Sequence, residues 1–384
     1  MRYKMNKDKF NLIATMASGL ESLTKKELVD LGYDVATENG RVRFQGNVRD
    51  IIKTNLWLRT GDRIKIVLKE FEAQTFDDLF EEIKSVEWDQ IMPLEATINV
   101  SGKSKKSQLH SVPDIQSITK KAIVDQIQQK YHWRQALPET GPIFAVEVAI
   151  DKDHAMLTLD TTGDSLFKRG YRIDKGAAPL KETMAAALVL LTSWHPDMLL
   201  VDPVCGSGTI LIEAALIGQN IAPGFNRAFQ CENWDWVPES TSREVRDEAD
   251  MQANYDIDLK LQGFDIDQNM IEIAQNNAQE AGLGDLITFK QQAVKDFTTQ
   301  DERGVMIGNP PYGERLSDRD QVRKLYEQLG EVTKNLPFWS KYFLTSDLEF
   351  EKFYGERATK KRKLYNGALR TDYFQFWAQR RKRN

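Results

Sequence analysis

The sequence predicts an α/β protein with a mostly parallel sheet, covered by helices on both faces, in its C-terminal part and two smaller α+β units before it. Two observations carry this prediction. After Thr161, strand-like segments alternate with longer helical ones, which is typical of a mostly parallel sheet covered by helices on both faces. Before Thr161, shorter strand and helix signals are separated by tight turns. With 384 residues and 41% hydrophobic content, the chain can build two or three packed cores.

The first unit is predicted to extend to about residue 60. Its first strand is predicted over Phe10 to Ala17. Ser18, followed three residues later by Glu21, has the spacing of a capping box, so a helix is predicted from Ser18 to its stop at Gly32. Asn39-Gly40 stands between two alternating segments and predicts a tight hairpin turn.

The second unit is predicted over residues 61–165 and again mixes strands and helices. Periodicity and turn signals predict, in order, a strand over Arg63 to Glu70, a helix over Thr75 to Trp88, a strand over Ala96 to Gly102, a helix over Asp114 to Tyr131, and a strand pair over Ile143 to Asp160 that turns at Asp151 to Asp153.

The remaining part of the chain carries the βα alternation. Its predicted strands are Met198 to Asp202, Leu259 to Asp265, Leu286 to Lys290, Val305 to Asn309 and Lys341 to Thr345. Asn366-Gly367 lies between Lys363 to Tyr365 and Ala368 to Phe376, which predicts a closing hairpin and an antiparallel edge.

Composition excludes several classes of protein. No segment of about eighteen apolar residues occurs, and the N-terminus is polar and basic, so we expect a cytoplasmic protein without a membrane span. Cys205 and Cys231 are far apart and the four histidines are scattered, so neither a disulfide framework nor a metal site is predicted.

Positive charge is concentrated in two segments, although the formal net charge is −5. One segment holds Lys103, Lys105 and Lys106, and the other holds Arg357, Lys360, Lys361, Arg362, Lys363, Arg370, Arg380, Arg381, Lys382 and Arg383. Such patches either bind phosphate or form solvated faces, and both interpretations stay open.

The first motif with chemical content is the turn from Asp202 to Thr209, which leaves a strand and enters the apolar helix Ile210 to Ile217. Glycines at 206 and 208 let the backbone approach a ligand closely at the carboxyl end of a strand. Leu211 stands where a dinucleotide fingerprint has its third glycine, so a different cofactor is indicated.

The second motif is Asp265, which ends the next strand of this region and precedes the helix Asn269 to Ala281. Its carboxylate can accept hydrogen bonds from two ribose hydroxyls, whereas Asp267 has the position of a helix cap. An insertion is predicted over Gln219 to Ile257. Its aromatic residues either stack on bases or pack the insertion against the protein; they are Phe225, Phe229, Trp234 and Trp236.

The third motif, Asn309-Pro310-Pro311-Tyr312-Gly313-Glu314-Arg315, directly follows an apolar strand. An amine conjugated to a ring is a poor nucleophile, because its lone pair is delocalised, so a catalyst has to orient it. Asn309 Oδ1 and the Pro310 carbonyl can accept the amine protons, and Tyr312 offers a face on which an extruded base can stack. No metal or protein nucleophile is needed for this chemistry.

These motifs together resemble the S-adenosylmethionine-dependent amino methyltransferases and, within them, the THUMP-domain RNA methyltransferase family. The resemblance includes Phe167 to Arg172 and Ala178 to Thr183 and extends over nearly the whole chain. It implies a ferredoxin-like unit (1–60), a THUMP RNA-binding domain (61–165) and a Rossmann-like class I methyltransferase domain (166–384). The chain is similar to bacterial enzymes that methylate the 2-amino group of guanine in 23S ribosomal RNA.

The resemblance and the motifs together define the predicted site residues. Asn309, Pro310 and Tyr312 are the predicted catalytic residues. Predicted contacts to S-adenosylmethionine are Asp202, Pro203, Cys205, Gly206, Ser207, Gly208, Thr209, Asp265, Ile266, Gln292, Ala293 and Asn309. Family members often carry an acidic residue near the cofactor adenine where this chain has Gln291 to Val294, so Gln292 or backbone groups are expected there.

The predicted RNA contacts are Lys103, Lys105, Lys106, Lys168, Arg169 and Arg172. The segment from Lys168 to Arg172 has a second interpretation, in which it lies over the cofactor. Three other functions compete: a methyltransferase for the adenine 6-amino group in DNA or RNA, a glutamine methyltransferase acting on protein, and an inert RNA-binding protein. The accessory N-terminal half favours RNA over DNA, and the intact motifs argue against an inert protein.

Overall fold

The protein is described by a computed structural model that covers residues 9–172, 180–313 and 319–379. It divides into two compact units, each of which draws on several parts of the chain. Unit 1 comprises Met1–Met16, Lys25–Leu166 and Arg227–Glu248, and unit 2 comprises Ala17–Thr24, Phe167–Asn226 and Ala249–Asn384, both as far as their residues are described.

Each unit is built on one seven-stranded sheet. Unit 1 contains β1 (Phe10–Met16), β2 (Val35–Glu38), β3 (Arg41–Gly46), β4 (Gly61–Glu72), β5 (Thr97–Lys105), β6 (Ile143–Asp151) and β7 (His154–Asp160). Unit 2 contains β8 (Leu199–Asp202), β9 (Leu261–Asp265), β10 (Ile287–Gln291), β11 (Gly304–Gly308), β12 (Trp339–Thr345), β13 (Lys360–Asn366) and β14 (Leu369–Phe376).

The helices connect these strands. They are α1 (Glu21–Asp30), α2 (Val48–Trp57), α3 (Phe76–Lys84), α4 (Trp88–Ile91), α5 (Val112–Tyr131), α6 (Glu182–Leu190), α7 (Thr209–Gly218), α8 (Glu239–Gln252), α9 (Gln268–Glu280), α10 (Arg319–Lys334) and α11 (Phe350–Tyr354). In the described part of the chain, no helix is both long enough and apolar enough to span a bilayer.

The sheet of unit 1 has the order β2-β3-β1-β4-β7-β6-β5. The two N-terminal units predicted from the sequence therefore share one sheet, because β1 pairs antiparallel with both β3 and β4.

The first helix begins later than the prediction of a helix from Ser18 placed it. Gly19 takes a left-handed backbone with φ of 96°, so α1 begins only at Glu21, whose carboxylate accepts a hydrogen bond from the Gly19 N–H at 2.9 Å.

Both tryptophans of the insertion between α7 and β9 pack inside unit 1. The Trp234 ring stacks on Phe144 with 4.9 Å between centroids, and its Nε1 donates to the Ile143 carbonyl at 2.9 Å. Trp236 donates to the Ile91 carbonyl at 2.9 Å. The packing interpretation is therefore confirmed for both tryptophans, which are 1% and 9% exposed.

The sheet of unit 2 has the order β10-β9-β8-β11-β12-β14-β13. Neighbours from β10 to β12 run parallel, whereas β14 is antiparallel to both β12 and β13. The predicted hairpin and antiparallel edge are thus present. Because the strand order reverses between β8 and β11, their carboxyl ends border the crevice in which doubly wound sheets bind ligands.

Candidate active site

The candidate site lies where β8 and β11 end side by side in unit 2. The two strands pair in parallel, with Val201 opposite Met306, so the loops after Asp202 and Gly308 leave the same edge of the sheet. A Cβ on Gly308 would lie 3.1 Å from Val204 Cγ2 and 3.5 Å from Asp202 Oδ1. Glycine at this position therefore lets the two loops approach each other closely.

The glycine-rich turn after β8 is held by its own backbone and by the neighbouring strand. The Cys205 N–H donates to the Phe264 carbonyl at 2.8 Å, and the Gly208 N–H donates to the Cys205 carbonyl at 2.9 Å. A Cβ on Gly208 would lie 2.8 Å from Phe289 Cζ, whereas one on Gly206 would meet no atom within 4 Å. The absence of a side chain at Gly208 thus lets Phe289 pack against the turn, and the open space at Gly206 lets a ligand approach the backbone.

Four polar side chains make hydrogen bonds at the same turn. Asn277 Nδ2 donates to the Ser207 carbonyl at 3.1 Å, and the hydroxyls of Ser207 and Thr209 lie 3.2 Å apart. Arg172 Nη2 donates to Thr209 Oγ1 at 2.9 Å and to the Leu180 carbonyl at 2.8 Å. Asn277 is 1% exposed, so the supporting contact comes from the interior of unit 2.

Buried ion pairs correct the prediction that Arg169 and Arg172 contact RNA. Arg169 Nε lies 3.4 Å from Glu213 Oε1, and the two side chains are 2% and 0% exposed. Arg172 Nε lies 3.3 Å from Glu182 Oε1, and the Arg172 side chain is 9% exposed. These guanidinium groups neutralise carboxylates that burial would otherwise leave uncompensated. The second interpretation, with this segment at the cofactor turn, is the one that Arg172 fits.

Of the other predicted residues, one RNA contact of the same segment is exposed, and several motif and basic residues lie outside the described part of the chain. Lys168 is exposed. Ala178, Pro179, Glu314, Arg315 and Arg380 to Arg383 lie outside the described residues.

Asp265 connects the ends of β8 and β9. Its Oδ2 accepts from the Gly206 N–H at 3.0 Å, and its Oδ1 accepts from the Asp267 N–H at 3.0 Å. Each carboxylate oxygen has further acceptor capacity, so the group fits a pair of ribose hydroxyls. Asp267 caps α9 by accepting from the Asn269 N–H at 2.9 Å, as predicted.

The residues expected near the adenine lie next to Asp265. Ile266 directly follows Asp265 and is 72% exposed, which is unusual for a large apolar side chain. The Gln292 N–H donates to the Asp265 carbonyl at 2.9 Å, and Gln292 and Ala293 are both half-buried. An exposed apolar side chain beside polar backbone groups suits a flat heterocycle.

Asp202 is almost fully buried at the end of β8, where its Oδ1 accepts from the Val204 N–H at 3.1 Å. Burial raises the pKa of Asp202 to about 8 against the lowering effect of this hydrogen bond, and the negative charge of Asp265 adds to the rise. The folded protein therefore binds a proton here more tightly than the unfolded chain does.

We expect Asp202→Asn to stabilise the protein increasingly as the pH rises. The pKa in the fold, about 8, exceeds the ordinary value of 3.8, so wild-type stability is lost between these values while asparagine does not titrate. The advantage of the variant should grow by about 2–4 kcal/mol between pH 5 and pH 8 in chemical denaturation experiments. Parallel pH profiles for the two proteins would contradict this.

The turn after β11 brings two predicted catalytic residues into contact. Tyr312 Oη donates to Asn309 Oδ1 at 2.6 Å, a bond that the sequence did not predict. Asn309 and Tyr312 are half-buried, and Pro310 is buried between them. The amide oxygen of asparagine has two lone pairs, so Asn309 Oδ1 can accept from Tyr312 and from a substrate amine together.

The predicted RNA-binding lysines lie at the end of β5, one of the two edge strands in the described sheet of unit 1. Lys103, Lys105 and Lys106 are exposed, and Lys103 Nζ lies 2.9 Å from Glu147 Oε2. The C-terminal basic residues Lys360, Lys361 and Lys363 are exposed on β13, which is an edge strand of the sheet of unit 2. Within the described ranges, no group of His, Cys, Asp and Glu side chains is arranged to hold a metal ion.

Three family models match successive parts of the chain. The "RlmL ferredoxin-like domain" matches residues 11–65 and the "THUMP domain" matches residues 73–160. The "RMKL-like, methyltransferase domain" matches residues 169–375.

Similar proteins come from several bacteria. "Putative RNA methyltransferase YpsC" of Bacillus subtilis (strain 168) is 53% identical over 371 residues, which is 96% of each chain. "Ribosomal RNA large subunit methyltransferase K/L" of Pseudomonas putida (strain ATCC 700007) is 34% identical over 94% of this chain. The match spans 51% of that protein, so this chain corresponds to about half the length of the K/L relatives.

Two solved structures share the fold over almost their full length. One is "SMU.472, a putative methyltransferase complexed with SAH", which is 53% identical with a TM-score of 0.93 and covers 98% of this chain and 100% of its own. The other, from Listeria monocytogenes, is named "a predicted N6-adenine-specific DNA methylase"; it is 57% identical with a TM-score of 0.93 and covers 97% of each chain.

Proposed function

The chain belongs to the THUMP-containing family of RlmL-like RNA methyltransferases, and on that premise we propose that it methylates the 2-amino group of a guanine in 23S ribosomal RNA. Dependence on S-adenosylmethionine and action on RNA come with the family. Our proposal adds three points to this: the RNA is that of the large ribosomal subunit, the base is guanine, and the methylated group is its 2-amino group. We assign residues 1–60, 61–165 and 166–384 to the ferredoxin-like, THUMP and methyltransferase domains and place the enzyme in the cytoplasm.

Two loops at the strand ends of unit 2 have the composition of a cofactor site. We assign Asp265 to the ribose hydroxyls, the turn from Asp202 to Thr209 to the rest of the cofactor backbone, and Ile266 with Gln292 and Ala293 to the adenine. The observation that supports this assignment is the open space at Gly206, a residue whose backbone nitrogen lies 3.0 Å from Asp265 Oδ2. When bound, S-adenosylmethionine supplies an electrophilic methyl group.

The chain's own contribution to the reaction is orientation of the amine. The observation that carries the proposal is Asn309 Oδ1, a half-buried acceptor at the end of β11 that Tyr312 holds in place at 2.6 Å. Asn309 Oδ1 and the Pro310 carbonyl accept the two amine protons, which aligns the nitrogen lone pair with the methyl group. Tyr312 packs on the face of the extruded base.

The name of the K/L relatives supports ribosomal RNA of the large subunit, and the exposed lysines of β5 suit an RNA phosphate backbone. We assign Lys103, Lys105, Lys106 and Lys168 to RNA contacts. Adenine 6-amino methylation is the second candidate, because a structure of similar sequence carries an adenine-specific name. Both bases present an amine beside a ring nitrogen, so the pocket walls and the RNA placement have to choose between them.

The polymer that accepts the methyl group tests the partner assignment. Purified protein is incubated with labelled S-adenosylmethionine and, separately, with deproteinised 23S RNA, 16S RNA, genomic DNA or total protein, each from a strain without the gene. Label should enter 23S RNA, and incorporation should weaken as salt rises, since phosphate contacts depend on salt. Label entering only DNA or protein would overturn the assignment.

A further inference from the structure

The turn that holds Asn309 is tied to the core of unit 2 by a buried tyrosine. Tyr326 lies in α10 and is 0% exposed. Its hydroxyl donates to the Pro311 carbonyl at 2.9 Å and lies 3.0 Å from Thr345 Oγ1 at the end of β12. Burial raises the pKa of Tyr326 to about 12, so the hydroxyl keeps its proton at neutral pH.

The number of protons fixes the direction of these hydrogen bonds. Tyrosine has a single hydroxyl proton, and the Pro311 carbonyl can only accept, so Thr345 has to donate to Tyr326 Oη. Thr345 Oγ1 in turn accepts from the Asp347 N–H at 3.1 Å. The chain of bonds therefore runs in one direction from Asp347 to Pro311, and such chains strengthen each member by polarisation.

The bond to Pro311 acts on the torsion that the prolines leave free. Both proline rings fix φ, so the direction of the Pro311 carbonyl depends on ψ of that residue. This carbonyl shares a rigid peptide plane with the Tyr312 N–H and Cα, so fixing it also fixes the position of the Tyr312 Cα. Tyr312 then donates to Asn309 Oδ1 at 2.6 Å.

We infer that Tyr326 is a positioning residue that holds the turn from Asn309 to Tyr312 in its reactive conformation through the Pro311 carbonyl. The inference rests on the proposed function, in which Asn309 and the Pro310 carbonyl orient the amine. It adds a residue that touches neither substrate nor cofactor. A misplacement of about 1 Å at a reacting group can lower a rate about 100-fold, so a single buried hydroxyl is enough to matter.

A second tyrosine in the same hydrophobic cluster provides a matched control. Tyr354 is 2% exposed, and its hydroxyl lies 2.6 Å from that of Thr333 in α10. Tyr326→Phe and Tyr354→Phe each remove one buried hydroxyl that is hydrogen-bonded to a threonine. The two tyrosines differ in that the Tyr326 hydroxyl also donates a hydrogen bond to the Pro311 carbonyl in the turn. A role in stability alone would affect both variants similarly.

The test measures single turnovers at saturating labelled S-adenosylmethionine with total RNA from a strain without the gene. Tyr326→Phe should slow turnover by about 10- to 100-fold, with RNA KM and S-adenosylhomocysteine affinity within about twofold of wild type. Tyr354→Phe should stay within about twofold in turnover. Thr345→Val should slow turnover in the same direction, and Thr345→Ser, which keeps the hydroxyl, should restore it.

The outcomes separate this inference from the proposed function. Equal turnover of Tyr326→Phe and Tyr354→Phe would overturn the positioning role. A defect of Tyr326→Phe that appears only as a higher KM for RNA would overturn it as well. If Asn309→Ala is strongly slowed in the same assay, the orienting role proposed for Asn309 stands whichever result Tyr326→Phe gives. Normal turnover of Asn309→Ala would instead remove that orienting role, on which this inference rests.

Discussion

Replacing Asn309 by alanine is expected to slow methyl transfer strongly while sparing cofactor affinity. Asn309 Oδ1 is the side-chain acceptor at the end of β11, and Tyr312 already holds it at 2.6 Å. Without it, the amine loses one of its two proposed partners as it attacks. Removing one preorganised group of this kind costs about 100- to 1,000-fold in turnover, and the loss belongs to kcat because the bond acts during reaction.

The measurement is single-turnover methylation at saturating S-adenosylmethionine and RNA, beside calorimetric titration with S-adenosylhomocysteine. Asn309→Asp is the matched comparison, because it keeps an acceptor oxygen in nearly the same shape and should retain more activity than alanine does. Near-normal turnover of Asn309→Ala would mean that another group orients the amine.

Asp265→Ala is expected to weaken cofactor binding by about 10- to 100-fold. The variant removes the proposed acceptor for two ribose hydroxyls, and charge-assisted hydrogen bonds contribute about 1.5–3 kcal/mol each, less where water substitutes. It also removes the bond at 3.0 Å that holds the Gly206 N–H, so the glycine turn loses a support. Asn309 stays in place, so the remaining defect should be overcome at high cofactor concentration.

Asp267→Ala is the control for this variant. Asp267 is a carboxylate two residues away that caps α9 through the Asn269 N–H. Losing a helix cap costs about 1 kcal/mol of stability without removing a proposed cofactor contact. Calorimetry with S-adenosylhomocysteine should therefore show weak binding for Asp265→Ala and near-normal binding for Asp267→Ala. Equal affinities for wild type and Asp265→Ala would transfer the ribose role to another residue.

Much of the fold could be predicted because local signals agreed with the final structure. The hairpin at Asn39-Gly40, the βα alternation after Thr161 and the closing hairpin at Asn366-Gly367 each depend on neighbouring residues, and each is present. The shared sheet of unit 1 could not be predicted in this way. Pairing of β1 with β4 joins distant parts of the chain, and no turn signal encodes it.

The site shows the same division between local and distant information. The glycine turn, Asp265 and Asn309 are read from short motifs at strand ends, and the structure brings them to one edge of the sheet. Arg169 was misassigned because basic residues in a loop usually face solvent. The sequence does indicate its partner, because Glu213 is the charged residue of the otherwise apolar helix α7 and a buried carboxylate needs a cation. Tyr326 lies in a helix remote in sequence from Thr345, so only packing reveals its role.

Methylation of the guanine 2-amino group is tested most directly by identifying the methylated nucleoside. The protein methylates deproteinised 23S RNA from a strain without the gene, with labelled S-adenosylmethionine as the methyl donor. The RNA is then digested, and the nucleosides are separated by chromatography and identified by mass spectrometry. We expect label in N2-methylguanosine, and we expect it to be strongly reduced when the reaction contains Asn309→Ala. Label confined to N6-methyladenosine would contradict the guanine assignment and leave the amine-orienting site intact, whereas label on a ring carbon or a ribose oxygen would contradict the mechanism itself.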